Sequence, residues 1–203
     1  GFSRNGNFYH PDLKFYFPIP DGFSAINQPT AVILVNEAQD AIVQFSIDSN
    51  NSTPEASVKE FLNQEGVSTI EQNSVQPNGL AGYEAEASIQ QEDGSSLTLD
   101  IKALQFDGNI YRFLSYTSSD QFSSYESRFN AVAGGFKRLN DSSILNIQPV
   151  RLKLTKTSRS GTFSSFLPSN LPLNIEAEDI AIINQVSLDD NIPAGTTIKI
   201  PVQ

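Results

Sequence analysis

Cysteine, methionine and tryptophan are absent from the 203 residues, and histidine occurs once, at His10. Without cysteine there is no disulfide, no thiolate nucleophile and no Cys-ligated zinc. A zinc ion bound at His10 would need two or three further ligands, and no second histidine exists to supply one. A Ser-His-Asp set would have to use His10 as its base, and nothing singles out a partner serine. His10, which precedes Pro11 at the mouth of a strand, reads as structural. Long apolar runs are missing too: none approaches the roughly 20 residues that span a bilayer, and no signal peptide is present. With no methionine at its start, the chain is expected to be an excised part of a longer polypeptide.

Charge is sparse, at 18% of residues, and uneven. Residues 1–147 hold 8 basic and 18 acidic side chains, the whole net charge of -10, while 148–203 hold 5 of each. Acidity in the first part argues against non-specific nucleic-acid binding, because phosphate contacts need Lys and Arg. Ser, Asn, Gln and Thr fill the polar surface, which suits an exported protein.

What is present is organised around Phe8-Tyr9-His10-Pro11-Asp12-Leu13-Lys14-Phe15-Tyr16-Phe17-Pro18-Ile19-Pro20-Asp21-Gly22-Phe23. Leu13, Phe15 and Phe17 alternate with Lys14 and Tyr16, the period of a strand with one buried face. Pro18 and Pro20 end it, since proline cannot donate to a ladder, and Asp21-Gly22 turns the chain. Residues 1–7 read as a linker or arm. Ala31 to Val35 and Ala41 to Ile47 flank a polar loop as a β-hairpin. Thr53-Pro54-Glu55 starts a helix carrying Val58, Phe61 and Leu62, which Gly66 ends. Strands follow over Leu80–Ile89, Ser96–Phe106 and Asn109–Thr117, separated by Glu92-Asp93-Gly94 and Asp107-Gly108. Ser118 or Ser119 is expected to cap a second helix with Phe122, Tyr125, Phe129 and Val132 on one face, closed by Gly134-Gly135, with Phe136 and Leu139 folding back onto the sheet. The acid pairs Glu92-Asp93 and Asp189-Asp190 sit at turns and are explained by turn chemistry before any paired-carboxylate catalysis.

Residues 140–149 look like a connection. Val150, Leu152 and Leu154 then alternate with Arg151, Lys153 and Thr155, predicting a strand with one apolar face. Ser160-Gly161-Thr162 turns into an apolar stretch, Glu176-Ala177-Glu178-Asp179 starts a helix, and Pro193-Ala194-Gly195 turns into a last strand, Thr197 to Pro201. The expectation is two α+β domains: 8–145, an antiparallel sheet covered by two helices, and 146–203, a small βααβ unit.

The phrase Phe15-Tyr16-Phe17-Pro18-Ile19-Pro20-Asp21-Gly22-Phe23, with Phe122, Tyr125, Phe129 and Phe136-Lys137-Arg138-Leu139, resembles the PsbP-like α/β sandwich. The tail resembles a LysM module: Ser160-Gly161-Thr162-Phe163 stands at its G-D-T-L turn, Ala181 to Gln185 at its helix end, and Ile192 to Ile200 at its closing P-G-x-x-l-x-I. The turn here lacks the acidic residue of that pattern. In this order, the motifs resemble the region after the catalytic domain of secreted bacterial zinc metallopeptidases of the HtpX/BepA type.

That resemblance implies a non-catalytic accessory or binding region of an exported enzyme. Zinc and the H-E-x-x-H helix would belong to a catalytic domain outside this sequence, and no cofactor is expected here. The implied location is the periplasm or cell envelope, with a lipid anchor in the preceding part. The implied partners are the catalytic domain of the same polypeptide and, alternatively for a stand-alone protein, peptidoglycan or envelope proteins. By motif, a glycan groove would involve Ser160, Gly161, Thr162, Asp190, Asn191 and Ile192; a degenerate module kept for packing is the other reading. Arg151, Lys153, Lys156 and Arg159 read either as a basic stripe for an anionic surface or as an ordinary solvated strand face.

Overall fold

The computed structural model describes residues 1–147, 150–172 and 175–202; Pro149, at the end of the expected connection, lies outside them. The chain divides into two compact units, Gly1–Leu145 and Asn146–Gln203.

The first unit begins with β1 (Phe2–Arg4), β2 (Asn7–His10) and β3 (Phe15–Pro18), followed by β4 (Phe23–Asn27), β5 (Ala31–Asn36) and β6 (Ala41–Asp48). Helix α1 (Pro54–Leu62) precedes β7 (Val67–Val75), β8 (Gly82–Gln90), β9 (Ser96–Phe106) and β10 (Asn109–Ser118). Helix α2 (Phe122–Gly134), β11 (Lys137–Arg138) and α3 (Ser142–Leu145) complete it. Seven strands form one antiparallel sheet in the order β4-β5-β6-β10-β9-β8-β7, and β1-β2-β3-β11 form a second.

Residues 1–7 are therefore a paired element and not a free arm. Asn5-Gly6, both at positive φ (48° and 70°), make the tight turn that lets Phe2 face Tyr9, with their rings stacked at 5.8 Å. Such a turn matches the twist of its strands, so three residues a side suffice when one pair is aromatic. The opening strand starts at Phe15 and not at Leu13, because Lys14 is left-handed (φ 56°) in the turn between β2 and β3.

The two faces of the large sheet bury separate cores. On one, Phe8, Phe15 and Phe17 of the small sheet meet Phe45, Phe106, Tyr111 and Phe113, together with Phe129, Val132 and Phe136 from α2 and its exit. On the other, Val58 of α1 packs on Ala85, Ala87, Leu99, Ile101, Ala103 and Ile110. Helix α1 has the expected cap: the Thr53 hydroxyl accepts the Ala56 N–H at 3.2 Å. Helix α2 has no side-chain cap, and its N-cap is Gln121. Ser119 is occupied elsewhere, its hydroxyl accepting from Ser96 and Thr98 on the neighbouring strand at 2.9 and 2.8 Å.

The second unit contains β12 (Arg151–Lys156), β13 (Gly161–Thr162), a single 3-10 turn (Phe163–Phe166), α4 (Ala177–Asn184), β14 (Asn191–Ile192) and β15 (Thr197–Val202). Only one of the two expected helices is an α-helix. Phe163, Ile180, Ala181, Ile192, Ile198 and Ile200 are its core. The apolar face expected on β12 is not buried: Leu152 is 49% and Leu154 67% exposed. Strand β12 pairs with β15 alone, and of the two it is β15 that reaches the core, through Ile198 and Ile200.

Candidate functional site

The six residues of the expected groove are gathered in one place. Thr157, buried beneath them, anchors the arrangement: its hydroxyl donates to the Pro193 carbonyl at 2.7 Å and accepts the Thr196 N–H at 3.1 Å. Gly195, left-handed at φ 85°, donates its N–H to the Thr157 carbonyl at 2.7 Å. Further along, the Ser160 hydroxyl accepts the Ala194 N–H at 3.2 Å, Gly161 pairs with Ile192, and Thr162 pairs with Asn191. Phe163 N–H donates to the Asp190 carbonyl and Ser164 N–H to that of Leu188, both at 2.9 Å.

The two segments are thus zipped to one another along their length, where the motif reading expected them to flank a groove. Ile192 is buried in the core and Gly161 contributes backbone, so the exposed side chains are those of Ser160, Thr162, Asp190 and Asn191. One Asp190 carboxylate oxygen accepts the Ser187 N–H at 2.8 Å. Asn191 has no hydrogen bond from its side chain among the described residues, leaving its amide available.

Arg159 belongs with this bridge. Its guanidinium lies over the Phe166 ring, 5.2 Å from the centroid, and reaches the Ser165 carbonyl and hydroxyl at 3.5 Å. A Cβ on Gly161 would stand 2.8 Å from Arg159 Nη1 and 2.9 Å from Ser165 Oγ, so glycine leaves the room that this arginine fills. Thr162 and Asn191, directly opposite in the pairing, present a hydroxyl and an amide on one face of the bridge, while Arg159 occupies the space beside Gly161.

The other basic residues do not form a single stripe. Across the β12–β15 ladder Arg151 faces Val202 and Lys153 faces Ile200, while Lys156 faces Thr197 on the opposite side, with Leu152 and Leu154. Neighbouring strand residues point to opposite faces, so Arg151 and Lys153 are separated from Lys156 by the pleat, and Arg159 is past the strand altogether.

The first unit holds a polar feature that sequence reading passed over. Register aligns Glu71, Glu86, Asp100 and Ser115 in one row across four strands, and Asn73, Glu84, Lys102 and Phe113 in the next. Lys102 Nζ lies 3.1 Å from Glu84 and 3.4 Å from Asp100, and also bonds Asn130 of α2. Burial pushes the Asp100 carboxyl up to about 6; Lys102 opposes this, and Glu84 and Glu86 reinforce it. Burial, then Glu71 and Glu126, likewise raise Glu86. The signal was the charges at period two in strands otherwise apolar, but spacing along a strand does not say which residue lies beside it. Among the described residues, no group of three or more His, Asp or Glu side chains is placed to hold a metal ion. No helix among them is long and apolar enough to cross a membrane.

No family model and no curated protein sequence matches the chain. Solved structures do. The solution structure of cyanobacterial PsbP (CyanoP) from Synechocystis sp. PCC 6803 matches with a TM-score of 0.51 and 14% identity, over 65% of this chain and 91% of that one. The Saccharomyces cerevisiae Ran-binding protein Mog1p matches with a TM-score of 0.47 and 10% identity, over 70% and 98%. LpqN, involved in cell envelope biogenesis of Mycobacterium tuberculosis, gives 0.44 and 12%, over 61% and 82%. The antiparallel sheet with helices on its faces in the first unit, together with the CyanoP likeness over 65% of the chain, gives a PsbP-like α+β fold.

Proposed function

We propose that the chain is a non-catalytic binding region of an envelope-associated protein, and that it contacts peptidoglycan through the bridge at 160–162 and 190–192. The observation that carries this reading is the pairing of Thr162 with Asn191, drawn from segments about thirty residues apart in the sequence, which sets an exposed hydroxyl beside an exposed amide, with the Arg159 guanidinium at the neighbouring Gly161. Sugar hydroxyls pair with hydroxyl and amide groups, and a guanidinium forks onto carboxylates such as those of peptide stems. The likeness of the tail to LysM modules supports the same ligand.

Co-sedimentation with insoluble peptidoglycan tests it. The full chain is retained, and Arg159→Ala and Asn191→Ala each weaken retention about tenfold, the scale of one charge-assisted or well-made hydrogen bond. No retention, or variants retained like the parent, overturns the reading. The order of motifs also supports a place behind a zinc metallopeptidase domain in the same polypeptide. An H-E-x-x-H motif upstream in the reading frame is the expected observation, and a complete reading frame without one removes this second reading.

A further inference from the structure

Between the β2–β3 turn of the small sheet and the β4–β5 turn and end of β6 in the large one lies a cavity of about 320 Å³. That is within the roughly 300–1,000 Å³ of small-molecule sites. Its apolar lining comes from Leu13, Phe15, Val32, Phe45 and Ile47, and its polar lining is His10 with amide and hydroxyl side chains around the 27–30 turn and Ser46. The rings of Phe15 and Phe45 meet at 5.2 Å, tilted by 58°, and His10 lies 5.3 Å from Phe15. No Lys, Arg, Asp or Glu lines the cavity.

His10 is set up as a donor. Its Nδ1 accepts the Leu13 N–H at 3.3 Å, so in the neutral imidazole the proton sits on Nε2. Burial lowers its pKa, outweighing the opposing pull of Asp12, and the lowered pKa favours that neutral form. Nε2 has no hydrogen-bond partner among the described residues.

We propose that this cavity binds a small uncharged molecule with a flat or branched apolar body and one hydrogen-bond acceptor, taken by Nε2 of His10. Apolar walls bury the body, and the absence of charged walls disfavours ions, which would lose hydration without compensation. The site is distinct from the peptidoglycan surface proposed for the second unit, and neither proposal depends on the other.

The test is an NMR titration of the whole chain with 2-acetylnaphthalene, which has one carbonyl acceptor, and with naphthalene, which has none. The proposal expects saturable shifts at the His10, Phe15 and Phe45 ring protons for both. Binding of the ketone should be weakened about tenfold in His10→Phe while naphthalene is unaffected. Ile47→Trp, placed at a residue 43% exposed and so tolerated by the fold, should fill the mouth and abolish both. Absence of saturable shifts, unchanged binding in Ile47→Trp, or equal losses for the two probes in His10→Phe overturns it.

Discussion

Two buried carboxylates pull the acid response of the first unit in opposite directions. Asp100 ionises only near pH 6 in the folded chain, against about 4 when unfolded. Its folded pKa is the higher one, so the folded state takes up a proton first and stability rises as pH falls from 7 toward 4. Between pH 7 and 5 the gain is about 1 kcal/mol. Asp48 runs the other way. Burial alone would raise it, but the Ser57 hydroxyl at 2.6 Å, the Asn51 amide and the N–H groups of Asn50 and Asn51 hold it below the ordinary range. Its contribution is complete above the unfolded pKa of about 4 and is lost as pH falls through the lower folded value. Urea midpoints should therefore be higher at pH 5 than at pH 7 in the parent, and the difference should shrink in Asp100→Asn. A parent midpoint that falls between pH 7 and 5 would contradict the assignment.

At the scale of elements, the junction between α2 and the small sheet is a tight fit. A Cβ on Gly135 would overlap the Pro18 ring and come within 2.8 Å of the Ala131 carbonyl, and Asn78 ties the same end by donating to the Gly134 and Phe136 carbonyls at 2.7 and 3.0 Å. Gly135→Ala should cost about 1–3 kcal/mol through forced displacement, read as a lower urea midpoint with unchanged slope. Elements of this kind were legible where composition and period agreed: β5, β6, β9 and β10 alternate apolar residues between turn dipeptides, and Thr53-Pro54-Glu55 announces α1. Strand β7 was not, since Val-Ser-Thr-Ile-Glu-Gln-Asn-Ser-Val buries almost nothing and is held by its ladder to β8. Strand β1 was overlooked although Asn5-Gly6 is a strong turn signal. The candidate surface was legible in part: Ser160, Thr162 and Asn191 come together, but the backbone pairing of their segments, and the position of Arg159 over Phe166, depend on register and packing that spacing does not encode. The Glu71-Glu86-Asp100 row was hidden for the same reason.

Over the whole molecule, the first unit carries the acidity and both large cores, and the second, with equal numbers of acids and bases, carries one small core under the bridge. Strand β7 bears on how the molecule avoids pairing with its own copies. It is a nine-residue outer strand, and a bare ladder of that length invites another chain to add itself. Its register slips between Thr69 and Glu71, leaving Ile70 outside the regular pairing and 56% exposed, and Glu71 stands beside Glu86. A border kinked at Ile70, with the Glu71 carboxylate beside Glu86, is a poor template for pairing with its own copy. Deleting Ile70 and replacing Glu71 with Val should straighten the border and remove one charge, and the variant should sediment as concentration-dependent oligomers where the parent stays monodisperse; an unchanged sedimentation profile would mean that solubility is guarded elsewhere. The irregular strand is then the unit's defence against aggregation.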